Sequence, residues 1–323
     1  MILALNPYFS KDFIGFFVLF FQRVGQLLSG KLGFADLASD EVQVFVLALV
    51  SIASALVGTF LVLKKMTMLA NSLSHTLLLG IVVAYVILIP FTPESNSYSI
   101  SIPVLLIASL VMGLVTTVLT QMLTHVLKLQ EDASTGLVFT TLFALGLVSV
   151  TVFTRNTHIG IEAIMGNVDA LHMHDLKLIL GITLFDFAVI ALLFKEFKMT
   201  TFDSGFADTQ GFSSSFFNYL LMVLTSVTVI GAFRAVGVLL VLAFLVGPVL
   251  TARLFTHGLK KLLLLSMAIG VGASVFSVAL ARHLLSVYHL PVSTSGLVAT
   301  VLGAIYFLCL IYSSLRSKIS CKN

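Results

Sequence analysis

His75 and Asn71 are the first pair whose types and spacing could do chemistry. They stand four residues apart, so on a helix they share one face. A neutral imidazole is a good ligand for zinc, manganese or iron, and a carboxamide oxygen a weak one. The same spacing suits a polar helix end bonded to a neighbour, and the residues alone leave both readings open. Asp186 lies in the middle of the apolar run LGITLFDFAVIALLF. A carboxylate at that depth is costly unless paired or hydrated, which makes it a functional candidate or a protonated structural acid. His158, Glu162, Asp169, His172 and His174 crowd a further segment, with Asp175 beside them. These groups are metal-capable but form no signature such as HExxH. They fit an external metal-collecting site or solvated loop residues. Arg282, His283 and His289 form a similar second cluster.

Other chemistry is excluded on spacing. GQLLSGKL, residues 25–32, matches GxxxxGK. A phosphate loop needs Ser or Thr next and a strand before it; Leu32 and the preceding apolar run supply neither. ATP hydrolysis is therefore not expected of this chain. No dense catalytic constellation is present, which disfavours a membrane-embedded enzyme. The two cysteines, Cys309 and Cys321, form no CxxC pair and no disulfide framework.

The elements that must position these groups are membrane helices. Of 323 residues, 59% are hydrophobic and 10% charged, where a soluble domain has about 25% charged. Mean hydropathy is +1.11. Long apolar runs separated by short polar breaks predict an all-α, polytopic transmembrane helix bundle of about nine to ten spans. The runs cover about 42–63, 75–91, 101–123, 134–154, 176–194, 216–233, 234–256, 262–285 and 294–315. Residues 13–28 either span weakly or lie in the interface as an amphipathic helix. The expected organisation is an N-terminal extension over 1–41, a membrane domain over 42–315 and a cytoplasmic tail over 316–323. MILALNPYFSKDF lacks the order of a cleaved signal peptide.

The stretch from Arg234 to Phe255 is long enough for about 30 Å of helix. It carries Pro248 deep in the run, where proline bends a helix and frees a carbonyl. Gly231 to Arg234 leaves almost no break before it, which predicts a tight hairpin or a broken helix at one membrane face. Small-xxx-small pairs, Ser54 with Gly58 and Gly270 with Ser274, permit close helix packing. Glu131 and Asp132 precede a run, where acids meet the positive end of the helix dipole.

Orientation follows from Lys and Arg. With Lys64 and Lys65 inside, Lys128, Lys195, Lys198, Arg253, Lys260, Lys261, Arg316, Lys318 and Lys322 also fall inside, and the C-terminus is cytoplasmic. The formal charge of +4 reports this topology. Basic residues are scattered, with no stripe for nucleic acid. The cytoplasmic stretch KEFKMTTFDSGFADTQGFSSS, residues 195–215, holds cap residues Asp203 and Ser204 and the small residues Ala207 and Gly211. It reads as a short surface helix for a partner or as an ordinary polar loop.

Five stretches together resemble the ABC-3 permeases, membrane subunits of ATP-binding-cassette uptake systems for zinc, manganese or iron. FLVLKKMTMLANSLSH, residues 60–75, is similar to the family's FLVLRRM-L-GDALSH. EDASTG at 131–136 with LFALG at 142–146 looks like EDA-IG and LFALG. MGN at 165–167 resembles FGN, and DSGFA at 203–207 with Gly211 resembles DPEFA–G. VGVLL at 236–240, with Pro248 and ARL at 252–254, looks like VGVLLV…P-ATARLL. The resemblance covers about 42–312. The Phe-rich start and the NSLSH variant look similar to chlamydial metal permeases.

The resemblance implies a function and a partner set. It makes the chain a permease that carries a divalent metal across the inner membrane, with ATP bound by a separate cytoplasmic subunit. A second permease chain, identical or sister, and an extracytoplasmic metal-binding protein complete the system. The chain itself binds no cofactor, and its remaining partner is membrane lipid. Asp203, Ser204, Gly205, Phe206, Ala207 and Gly211 become the ATPase-coupling segment, His75 a group on the metal path, and Pro248 a family helix kink. Asn71 stands where the family usually has Asp, which implies a weaker or differently charged site. Asp186 and the His172/His174 cluster match no family motif. The alternative is a proton-coupled secondary metal transporter with Asp186 as carrier.

Overall fold

The computed structural model describes residues 7–8, 12–33, 36–88, 102–153 and 168–320. Among these residues the chain forms twelve α-helices and a short 3-10 turn, with no strand. The helices are α1 (Phe13–Leu28), α2 (Ser39–Leu63), α3 (Thr67–Leu88), α4 (Ile102–Val126), α5 (Glu131–Phe153) and α6 (Met173–Leu192). There follow α7 (Phe194–Phe202), α8 (Ser204–Thr209), α9 (Ser214–Val236), α10 (Val238–Arg253), α11 (Leu259–Tyr288) and α12 (Thr294–Ser320). Each of the nine apolar runs is a helix, so the architecture is the polytopic helical bundle expected. Among the described residues, five helices are long and apolar enough to cross a membrane, or six when α6 and α7 count as one bent span.

α2 is the axis. It packs against α6, α9, α10 and α11, and nearly every residue from Asp40 to Val62 is buried. Its sequence explains why: apolar residues on all sides make a helix that must be enclosed, and small residues let neighbours close in. A Cβ at Gly58 would land on the backbone carbonyl of Leu245 in α10, and one at Gly270 in α11 would meet the Ser51 hydroxyl. Gly58→Val is therefore expected to destabilise the bundle by about 1–3 kcal/mol, because a backbone carbonyl cannot rotate aside. Thermal unfolding of the purified chain in detergent measures this; an unchanged midpoint would refute the close approach.

The end of α2 at Ser39 is called upper here, and the end at Lys64 lower. At the lower end Lys65 adopts φ +62°. The Met66 N–H donates to Leu61 O at 2.8 Å, so the chain turns directly into α3. α3, α4 and α5 pack on one another and hold small apolar clusters of their own, built on Leu79, Val138 and Leu142 and on Val82 and Val150. α9 touches α2, α3, α4 and α6 and so joins this group to the α2 group.

One detail differs from the sequence reading, and a second bears on residues 13–28, which it left open. α9 continues through Gly231 and Arg234 to Val236, and the break falls at Gly237. Gly237 has φ +81° and ψ 164°, a conformation that a side chain would strain. The small residues at 231–232 are packing positions: Gly231 faces Ile182 of α6. The second detail is α1. Phe13 lies against Phe276 and His283 of α11, Phe20 against Phe45, and Arg23 pairs with Glu41. Glu41, Phe45 and His283 belong to the upper turns and Phe276 to the middle of α11, so α1 packs on the upper half of α2 and α11.

Candidate functional site

His75 faces α5. Its ring is 5.3 Å from the rings of both Phe139 and Phe143, which stack on each other at 5.9 Å. Asn71 lies one turn lower on α3, and both side chains are half-buried. The shared face expected of the pair is present. The imidazole packs against both aromatic rings and is the polar group on an otherwise apolar wall.

A ladder of hydroxyls runs beside this pair on the α3/α4 seam. α3 and α4 are antiparallel, and Thr116 Oγ1 is 3.0 Å from Thr76 Oγ1. One turn lower, Ser72 and Thr120 take the equivalent positions. Both are buried, and both hydroxyls lack a hydrogen-bond partner, as do Thr117 and Ser134. Hydroxyls in apolar helices ordinarily bond back to their own helix, as Thr225 and Ser274 do here. A small cleft opens at the lower end of the seam, between α3, α4, α5 and α9. Thr120, Gln121, Thr124, Asp132 and Thr135 line it, with Met66, Leu69 and Met222. The sequence reading did not single out these hydroxyls. The signal was the four-residue period of Thr116, Thr120 and Thr124, matched by Ser72 and Thr76.

Asp186, the carrier of the alternative reading, lies apart from His75 and Asn71. It is fully buried on α6, with Thr228 Oγ1 of α9 at 2.7 Å from Oδ2. Ser226, two residues before Thr228, points the other way and meets Gly113 of α4. α9 thus stands between Asp186 and the α3–α4–α5 group. The reason is helical geometry: residues two apart on α9 leave on nearly opposite sides. Thr228 Oγ1 also lies 2.8 Å from Leu224 O. One hydroxyl hydrogen cannot serve both acceptors. Both contacts are met when Asp186 carries a proton and donates to Thr228 and Thr228 donates to Leu224, while Asp186 Oδ1 stays buried without a partner.

The histidine-rich segment is only partly within the described residues; His158 and Glu162 lie outside them. Asp169 accepts a hydrogen bond from Thr294 Oγ1, and Asp175 accepts the His172 N–H at 3.0 Å, capping α6. His172 and His174 are exposed. Among the described residues, no three His, Cys, Asp or Glu side chains gather as a metal site. Arg282 pairs with buried Asp40, and His283 sits between Phe13 and Tyr288, so that cluster is also structural.

The segment after α6 is a braced protrusion. α7 leaves α6 at 71° and anchors through Phe197, packed on Phe60 at 5.3 Å and Phe217 at 5.5 Å. α8 follows. Asp203 caps it by accepting the Phe206 N–H at 2.9 Å, and Gly211 turns the chain back at φ +86°. Asp208 accepts the Ser214 N–H at 2.8 Å, and Ser214 Oγ donates to Ser204 O at 2.9 Å. Ser204, Gly205 and Phe206 are exposed, and Ala207 is buried. Phe202 and Phe206 present exposed rings. Phe202 and Asp208 were not legible as part of this feature from sequence. Within 195–215, which the sequence left open between a short helix and a polar loop, residues Ser204–Thr209 form a helix.

Pro248, expected to bend its helix, lies inside α10, buried against the Gly270 side of α11. The profile of the family described as "ABC 3 transport family" matches residues 42–313. The chain belongs to that family. The ABC 3 match starts at the top of α2 and ends within α12, so α1 lies outside it. A "Probable metal transport system membrane protein" of Chlamydia trachomatis serovar D is 38% identical over 312 residues, covering 97% of this chain and 95% of its own. The "Manganese transport system membrane protein MntD" of Bacillus subtilis is 32% identical over 287 residues, 85% and 92% of the two chains. Among solved structures, "PsaBC from Streptococcus pneumoniae in complex with Fab" superposes with a TM-score of 0.70 at 23% identity, over 87% of this chain and 94% of that one. That likeness shows the fold. The five stretches that suggested ABC 3 all lie inside the matched residues.

Proposed function

We infer that the chain is the membrane-spanning permease subunit of an ATP-binding-cassette importer for a divalent metal ion. The observation that carries this, beyond family membership, is the braced protrusion of α7 and α8 at the lower end. A carrier that works alone has no need of a rigid handle outside its bundle. The lower end is the cytoplasmic one: Lys64, Lys65, Lys128, Lys195, Lys198, Lys260 and Lys261 gather there by their places in the helices. Two of the upper cations, Arg23 and Arg282, are held by Glu41 and Asp40.

In this reading a separate subunit binds and hydrolyses ATP, and its closure moves α8. A second permease chain shares the membrane. An extracytoplasmic binding protein delivers the metal at the upper end, and the complex sits in a bacterial inner membrane. α1 is an amphipathic helix at the outer interface, with Ile14, Val18 and Phe21 exposed as one ridge. The metal passes His75 and Asn71. Imidazole and carboxamide are neutral, so the ion keeps its full charge there and moves on by ligand exchange. Neutral donors also hold it more loosely than a carboxylate would. The manganese relative supports manganese as the first cargo to test, with zinc and iron beside it.

Reconstitution in vesicles tests the function. Uptake of manganese, zinc and iron is followed with and without the ATP-binding subunit and the binding protein. Uptake that needs ATP supports the permease; uptake that follows a proton gradient without the ATPase overturns it. Asp186 separates the same alternatives. Asp186→Asn keeps a donor for Thr228 and is expected to leave ATP-driven uptake nearly unchanged. Asp186→Ala leaves the Thr228 contact unmade and is expected to cost about 1–3 kcal/mol of stability. A proton carrier would instead lose transport in the asparagine variant.

A further inference from the structure

Burial of Asp186 opposes stability, and its one bond offsets only part of that cost. Oδ2 meets Thr228 of α9 at 2.7 Å, while Oδ1 is buried without a partner. A valine at each of the two positions would leave no polar group to desolvate. What an apolar pair lacks is direction, since a hydrogen bond fixes distance and angle. The seam beside it is smooth. A Cβ at Gly231 of α9 would run into Ile182 of α6, one turn above Asp186, so there a bare backbone meets an aliphatic side chain. Contacts of that kind let two helices slide along each other. A buried polar pair sets their register, as it does in coiled coils.

The two helices fixed in this way are the stalks of the lower protrusion. α6 ends at Leu192, about 9 Å of helix below Asp186. The chain then passes through α7 and α8 and returns as α9. Phe197 of α7 rests on Phe217 of α9. α9 is also the helix that touches the His75 group. At the height of the Asp186 bond, Ser226 packs against Gly113 of α4. Gly113 is one turn above Thr116, whose hydroxyl meets that of Thr76, the residue after His75. Resting on the permease reading, we propose that Asp186 is a positioning residue that locks α6 and α9 in register. A pull on α7 and α8 then moves both stalks as one lever and reaches α4 through α9. Without the lock α6 slides along α9, and part of the stroke is lost between them. The lock works with the carboxyl proton in place, which separates it from a proton carrier at the same residue.

The assembled importer in vesicles, with its ATP-binding subunit and binding protein, tests this. Manganese, zinc and iron are supplied together, and metal taken up is divided by ATP hydrolysed in the same vesicles. The ratio does not depend on how much protein is folded, so a merely structural residue leaves it unchanged. Asp186→Val and Thr228→Val each strand a polar group. The double variant strands none and is expected to unfold near the wild-type temperature. It should still carry at least about fivefold less metal per ATP, the lower end of ordinary coupling between sites. Thr228→Val should show the same loss, and the two single losses should not add, because both break one bond. Asp186→Asn keeps a donor for Thr228 and should hold the wild-type ratio. A double variant with the wild-type ratio overturns the proposal, as does an Asp186→Asn variant that lowers it. Should the double variant fail to fold, Thr228→Val, which keeps the shape of its side chain, decides by the same ratio. Failure of the lock leaves the ATP dependence of wild-type uptake intact, whereas uptake that needs no ATP defeats the permease reading beneath it.

Discussion

Replacing Phe202 and Phe206 together by aspartate is expected to cut ATP-driven metal uptake while leaving the bundle folded. Both rings are exposed, at 60% and 51%, so neither contributes to the internal packing. They flank the cap residue Asp203 on a segment whose shape is held by its own bonds. Those bonds are Asp203 to the Phe206 N–H, Asp208 to the Ser214 N–H, and Ser214 to the Ser204 carbonyl. Exposed aromatic anchors are the common hot spots of protein interfaces. Coupling between sites is typically about 1–3 kcal/mol, a factor of about 5–150, and severing it should lower uptake by that factor. Co-purification of the ATP-binding subunit should weaken in step. Asp203→Ala removes only the cap, about 1 kcal/mol, and should have a smaller effect. Unchanged uptake with the ATPase still bound would remove α8 from the coupling role.

Arg282→Ala is the second large effect, and it concerns stability. Asp40 is 1% exposed at the top of α2, and Arg282 of α11 forms its ion pair. Removing one member of a buried pair strands the other charge and costs about 3–5 kcal/mol. Replacing both by apolar residues of similar volume, Asp40→Leu with Arg282→Met, should recover most of the loss. Unfolding of the wild type, Asp40→Leu, Arg282→Met and the double variant in detergent gives the coupling energy directly. A double variant no better than Arg282→Ala would mean that Asp40 matters through its other bonds. The neighbouring pair differs in kind. Glu41 accepts from Arg23, from the Tyr8 hydroxyl at 2.7 Å and from the Ala38 N–H at 2.8 Å. Burial first, and then the bond to Glu41, push the Tyr8 phenol above its usual range. The phenol therefore keeps its proton and donates. The sign is fixed by the raised value: this contribution is complete below the ordinary tyrosine range and is lost only as pH climbs through the higher folded value.

The helices were legible because their signal is summed over about twenty residues each. Lipid-length apolar runs do not depend on what they pack against. His75 and Asn71 were legible as a face because four-residue spacing fixes relative direction within one helix. What spacing within a helix cannot say is which other helix that face meets. Asp186 illustrates this: its depth marked it, but only the position of Thr228 shows that it lies across α9 from His75. The acids Asp40 and Glu41 have arginine partners in opposite directions along the chain. Arg23 comes 18 residues earlier, and Arg282 comes 242 later. No local pattern connects them. The hydroxyl ladder was within reach, since its period of four is local to each strand of the seam. It was overlooked because threonine in an apolar helix is usually satisfied by its own backbone.

The place of α2 at the centre also sets a timetable for making the protein. Its top turn pairs with a residue 242 positions downstream. At ribosomal rates of about 5–20 residues per second, that interval is about 12–48 s. During it, the helices that enclose α2 are made one after another, α6, α9 and α10 first and α11 last. Its small-residue seam and its two acids must be kept from other nascent chains during that wait. Truncations that stop short of α11 therefore remove the enclosure of the first long helix, and are expected to be cleared by membrane proteases as whole chains.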